Sequence, residues 1–200
     1  MPVETLELVG ALGPRARFVR GNADRGVGEV QSRDDLSEIE EFQRSAHGDL
    51  WERPAGFEEG FSLDIAGLGP TRFCHGSPRS DEECVTEKTP DERVRAFAEG
   101  VPERVIVHGH THVQYERTVA GRRVLNPGSV GIPYEGRTGA FWALLGPDVD
   151  LRRTEYDLDA AAERILASGD PFAEELVETL QTPPSREEAI AQAEALVFAG

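Results

Sequence analysis

The chain is poor in several things. Cysteine occurs twice in 200 residues, at Cys74 and Cys84, and not as a CxxC pair. That excludes a disulfide framework, and both are read as reduced thiols. No apolar run approaches the ~20 residues that a membrane-spanning helix needs. The start, MPVETLELVG, lacks a basic region followed by an apolar core, so it does not read as a signal peptide. A cytoplasmic protein without a membrane partner is the expectation. Basic charge is scarce too: 21 Lys and Arg face 37 Asp and Glu, for a net charge of −16. This argues against a general electrostatic grip on nucleic acid. The short stretches GRR (Gly121 to Arg123) and LRR (Leu151 to Arg153) fit the polar faces of hairpins instead. A small anionic substrate stays admissible, because a metal ion can supply local positive charge.

What is present favours a folded unit. A hydrophobic fraction of 38% is too high for a disordered chain. The length favours one domain over residues 1–200, with C-terminal helices from about residue 157 in the same unit.

The patterning alternates strands and helices. ARFVRGNAD reads as a short strand, Arg17 to Arg20, running into a glycine turn. DDLSEIEEFQRSA reads as an acidic helix with Leu36, Ile39 and Phe42 at helical spacing. FSLDI and TRFCHG read as two strands joined by AGLGP. TPDERVRAFAEG carries helix signals at both ends: Thr89 to cap, Pro90 in the first turn, Glu92 at capping-box spacing and Gly100 as the stop. RVIVHGH is then a buried strand ending in histidines, which points to an α/β architecture. Two hairpins follow, turning at Ala120-Gly121 and near Pro147-Asp148. The tail is helical: one apolar face runs from Leu158 to Leu166 and ends at Gly169, and a last helix starts at Ser185 with Glu188 at capping-box spacing.

Four segments place glycine beside a ligand-type residue at a strand end or turn: GNAD (Gly21 to Asp24), CHGSP (Cys74 to Pro78), HGHTH (His108 to His112) and NPGSVG (Asn126 to Gly131). Loops at strand ends are where α/β proteins place their sites. Four of the five histidines lie in these segments. His110 and His112 are two residues apart, so an extended segment would put both rings on one side. Gly109 would let the backbone turn close to a ligand. Imidazole suits Zn, Fe or Ni, and an Asn or Asp oxygen also admits Mn. Read alone, the His-x-His pair is either a metal-binding pair or a polar loop.

Taken together and in this order, the motifs GNxD, His-Gly, GHTH and NPGSxG resemble the calcineurin-like metallophosphoesterases, and most of all a small bacterial phosphodiesterase-type branch. The resemblance runs from Pro2 to about Tyr156. It implies an α/β fold of two packed β-sheets flanked by helices. It implies two divalent metal ions, of Mn, Fe, Zn or Ni type, that hydrolyse a phosphodiester or phosphomonoester, a nucleotide among the candidates, through an activated hydroxide. Carried over by motif, Asn22, His75 and His110 would ligate one metal and His112 the other. His108 falls outside the ligand pattern, and His47 has no motif around it. Asp24 is read either as a carboxylate holding a ligand imidazole or as a turn or cap aspartate. Ser77 and Ser129 are read as structural.

The chain departs from the family pattern twice. Ala23 stands where many larger relatives carry a histidine that assists the leaving group. The family's Asp-x-His and Gly-Asp motifs, which supply one metal and the bridging carboxylate, are absent; no Asp or His precedes Asn22. One metal then keeps three ligands and the other keeps His112 alone. The first β-α-β segment of the fold would be missing, with sheet edges unpaired and apolar faces bare. Met1, the only methionine, is read as an internal residue of a longer protein or as the start of a shortened one. Two functions follow: a metal-dependent phosphoesterase, or an impaired member of the fold that acts as a binding or scaffold module.

Overall fold

The computed structural model describes residues 2–29, 41–42, 44–45, 53 and 56–196. His47 and most of the expected helix over residues 34–46 lie outside the described residues.

Two sheets form the centre. The first has five strands: β1 (Gly60–Ile65), β2 (Gly69–Cys74), β3 (Val105–Val107), β4 (Tyr115–Val119) and β5 (Arg122–Asn126), in the order β1-β2-β3-β5-β4. The second is the antiparallel pair β6 (Ala140–Leu145) and β7 (Val149–Thr154). The helices are α1 (Pro2–Gly10), α2 (Asn22–Glu29), α3 (Asp91–Ala98), α4 (Leu158–Leu166), α5 (Ala173–Gln181) and α6 (Arg186–Ala195). This is the expected two-sheet α/β arrangement.

β3 explains the architecture. It is three β-branched residues, all buried, paired in parallel with β2 on one side and β5 on the other. A strand buried on both faces reads as a continuous apolar run. On one face, Cys74, Ile106 and Val124 pack with Val94 and Phe97 of α3. On the other, Val105, Val107 and Leu125 meet Ala143, Leu145 and Val149 of the second sheet. Both cysteines are buried and free.

All three hairpins form: β1 with β2, β4 with β5, and β6 with β7. The middle one turns on Ala120 and Gly121, with φ of 51° and 79°, the conformation that two-residue hairpins select. α6 starts at Ser185 in a complete capping box with Glu188.

Three expectations fail. Arg17 to Arg20 is not a strand; Val19 forms one isolated bridge to Glu58. Thr89 does not cap α3, whose N-cap is Pro90 with no side-chain hydrogen bond. The Thr89 hydroxyl accepts instead from Thr86 N at 2.8 Å and donates to Glu194 of α6 at 2.5 Å. A tertiary partner outcompetes the local cap. The GNAD segment is not a turn alone, because α2 begins at Asn22 itself.

Some apolar side chains are exposed. Leu8, Val130 and Leu144 are 73%, 64% and 43% exposed. Among the described residues β6 pairs with β7 alone.

Candidate metal centre

The ends of β2 and β3 and the start of α2 come together. Gly21 precedes α2, and a Cβ there would lie 3.0–3.1 Å from the His75 ring. A larger residue there would press on the His75 ring, which would have to give by a few tenths of an ångström. The His75 ring then presents Nε2 to Asn22 Oδ1 at 3.0 Å and to His110 Nδ1 at 3.2 Å. Donor atoms of Asn22 and His110, from segments far apart in sequence, therefore both meet His75 Nε2.

Burial tunes these groups. The His75 imidazole is pushed down to about 4, first by burial, then by the neighbouring His110, against the opposing pull of Asp81. Burial also lowers His110, opposed by the Glu82 backbone carbonyl and by the Asp81 and Glu82 carboxylates. Neutral imidazole is the metal-binding form. The donor set also fits an ion on geometric grounds: metal–nitrogen bonds of ~2.0–2.1 Å at tetrahedral angles place neighbouring donors roughly 3.3 Å apart. The proton that His75 Nε2 shares between two acceptors is what a cation would replace.

The backbone that delivers His110 is unusual. His110 and His112 have φ of 67° and 57°, a region that residues with side chains rarely enter and that clusters at functional sites. The segment is therefore not extended, and the expectation of two rings on one side is corrected. Gly109 does not make the left-handed turn; the histidines do. His110 turns toward His75. His112 instead lies against Tyr134, with ring centroids 5.0 Å apart. Its Nδ1 is buried and, among the described residues, has no hydrogen-bond partner. Burial lowers its pKa, opposed by the backbone of Ile132.

Sequence reading missed the residue that holds this turn. Asn126 is fully buried at the end of β5. Its Nδ2 donates to Gly109 O at 2.7 Å and to Thr111 Oγ1 at 3.1 Å, while Oδ1 accepts from Gly128 N at 2.9 Å. One amide ties the NPGSVG and GHTH turns together. Gly128 has φ of 85°, and a Cβ there would meet the Phe141 side chain at 2.7 Å, so the glycine is required twice over. The signal was the buried amide type at a strand end, which sequence does not separate from a ligand.

The remaining candidates sort clearly. His108 is 2% exposed. Its Nδ1 donates to Gly109 O at 3.2 Å, so Nε2 accepts from the Tyr115 hydroxyl at 2.6 Å. It faces into the sheet, as its place outside the ligand pattern implied. The Asp24 carboxylate accepts from Gly21 N at 2.8 Å, which is the helix-cap reading. Ser77 and Ser80 close a small bridged turn, and the Ser129 hydroxyl accepts from Ile132 N.

The loop from Gly76 to Glu83 overhangs the cluster and is firmly tied. Glu83 is fully buried and accepts the Arg79 fork at 2.9 and 2.7 Å. Asp81 pairs with Arg25 of α2 at 2.9 Å. Among the described residues no group of three His, Cys, Asp or Glu side chains stands close enough to hold a metal. Asn22 joins the His75–His110 pair, and among the described residues nothing comparable gathers around His112.

The chain resembles known structures at low identity. A hypothetical protein from Pyrococcus horikoshii superposes with a TM-score of 0.72 at 18% identity, covering 92% of this chain and 80% of that one. A metallophosphoesterase from Sphaerobacter thermophilus superposes with a TM-score of 0.67 at 24% identity, covering 90% of this chain and 81% of that one. These likenesses establish the fold. No curated protein matches. The profile of the calcineurin-like phosphoesterase superfamily domain matches residues 2–145, which is most of the chain. The protein belongs to the calcineurin-like phosphoesterase superfamily.

Proposed function

We propose that the chain is a metal-dependent phosphoesterase whose one well-formed ion site is Asn22, His75 and His110. The observation that carries this is the convergence of Asn22 Oδ1, His75 Nε2 and His110 Nδ1 within 3.2 Å links. A divalent ion held there supplies Lewis-acid polarisation of a phosphoryl oxygen and acidifies water at neutral pH. Mn, Fe, Zn and Ni all suit two imidazoles and an amide oxygen. The residues themselves do the positioning. Asn126 holds the GHTH turn, Gly21 clears space for the His75 ring, and burial keeps both imidazoles neutral. His112 is the candidate ligand for a second ion, with Tyr134 as its neighbour.

Ala23 offers no proton to a leaving group. Esters with acidic leaving groups are therefore the preferred class, phosphodiesters and phosphomonoesters alike. The test is metal content, then hydrolysis of a nitrophenyl phosphodiester with Mn²⁺. Metal retention with turnover of the aryl ester and little turnover of an alkyl ester is expected. A metal-loaded protein inactive on every ester defeats the reading. Equal turnover of the two esters defeats only the role given to Ala23.

The second reading is a binding or scaffold module. The one-sided donor set favours it, because three donors meet at one end and His112 stands apart. A folded, metal-free product that co-purifies with a partner would support it.

A further inference from the structure

A cleft of about 220 Å³ opens beside His75. Its charge runs against that of the molecule. The whole chain has 37 acidic and 21 basic residues. The cleft is lined by four arginines, Arg20, Arg25, Arg72 and Arg79, against the carboxylates of Glu59 and Asp81. Three of these arginines are engaged. Arg20 pairs with Glu59 at 2.8 Å, Arg25 with Asp81 at 2.9 Å, and Arg79 forks onto Glu83.

Arg72 differs. It projects from β2, half-buried, with its guanidinium over Gly60: a Cβ there would lie 2.9 Å from Nη2. Among the described residues its side chain has no hydrogen-bond or ion-pair partner. A guanidinium carries five N–H donors in a rigid fork that matches phosphate and carboxylate. Its donors are not spent on a protein acceptor, so an anion entering the cleft meets an unused fork. We propose that Arg72 is a binding residue for a second anionic group of the ligand, separate from the phosphate presented to Asn22, His75 and His110. This rests on the phosphoesterase reading of that cluster. It narrows the substrate class to phosphoesters that carry a further phosphate or carboxylate.

Shared lining and size support this assignment. Arg72 and His75 both line the cleft. The volume is below the ~300–1,000 Å³ of drug-sized ligand pockets, which fits one compact anion. A nucleic acid would need a longer basic track than this cleft provides.

The test uses the full chain, treated with EDTA and titrated calorimetrically with inorganic pyrophosphate. Saturable binding is expected, weakened at least tenfold in Arg72→Met and partly retained in Arg72→Lys. Phenylglyoxal labelling of the unmodified protein, read by mass spectrometry, avoids dependence on a variant's folding. Arg72 should react and be shielded by pyrophosphate. No binding by the wild type, binding by Arg72→Met within twofold of it, or labelling of Arg72 indifferent to pyrophosphate would each overturn the proposal. Mn²⁺ binding is measured in parallel. Loss of Mn²⁺ affinity with pyrophosphate binding intact would overturn the phosphoesterase reading and leave the anion site standing. The reverse result would overturn the anion site alone.

Discussion

His110 and His112 share a motif, a left-handed backbone and a half-buried setting, yet their surroundings differ. His110 meets His75 at 3.2 Å, and His75 meets Asn22 at 3.0 Å. His112 has Tyr134 at its ring and a buried Nδ1 without a hydrogen-bond partner among the described residues. The difference teaches what makes a donor cluster. On the His110 side, the start of α2 and the end of β2 both deliver a donor atom, and a tied loop closes over them. On the His112 side, the neighbouring segment delivers an aromatic ring. Among the described residues, two imidazoles two residues apart thus have different surroundings: one meets another imidazole, the other an aromatic ring and the Ile132 backbone.

The comparison can be broken most directly at His75. His75→Ala should lower divalent-ion affinity by at least ~100-fold, beyond the 10–100-fold lost when a supporting residue is removed. Equilibrium dialysis with Mn²⁺ reads this, and an equal loss from His112→Leu would erase the contrast.

The next effect is on the loop over the His110 side. Glu83 is buried, which by itself raises a carboxyl pKa, but Arg79 and the Ser77 hydroxyl outweigh burial and hold it low. Glu83→Gln should cost about 3 kcal/mol, the lower end for breaking a buried pair, because Arg79 is partly solvated. Urea melts measure it. The pH sign follows from the depressed value. The stabilisation is fully present above the unfolded glutamate pKa of about 4.3 and is lost as pH falls through the lower folded value. Melts of the wild type should weaken across that acid window, and melts of Glu83→Gln should weaken less.

Asn22→Asp sharpens the comparison from the other direction. It adds a formal charge to the donor set, and ligand charge tunes affinity, so roughly a tenfold gain in Mn²⁺ affinity is expected. An unchanged affinity would mean that Asn22 Oδ1 does not face the ion. The smallest effect belongs to His112→Leu. Removing a buried nitrogen that lacks a partner should relieve part of a penalty of about 1–3 kcal/mol. Lost packing against Tyr134 offsets that, so stability should stay within about 1 kcal/mol by thermal or urea unfolding. A larger loss would show that the His112 side is as firmly built as the His110 side.

Much of this was legible in the sequence where the physics is local. The Ala120-Gly121 hairpin follows from two residues with positive φ. The α6 start follows from reciprocal bonds between Ser185 and Glu188. β3 is visible as Val-Ile-Val. Legibility ended where distant groups compete. Thr89 looked like a cap, but Glu194, 105 residues away, takes its hydroxyl. GNADRGVGE carries three glycines, a composition that disfavours a helix, yet α2 begins at Asn22, with Asp24 reaching back to Gly21 N. Asn126 looked like one more ligand-type side chain, and its partners turned out to be Gly109, Thr111 and Gly128.

The sequence by itself determined the strands, the hairpins, the family and the motif residues, because turn, cap and β-branched preferences act within four or five residues. Only the tertiary structure decided which imidazoles meet, which arginine in the cleft lacks a partner and which polar side chain holds the GHTH turn. Those outcomes depend on which strand ends and loops are brought together. A ring's direction at a left-handed residue is set by the groups packed around it, and no local pattern in the chain encodes them.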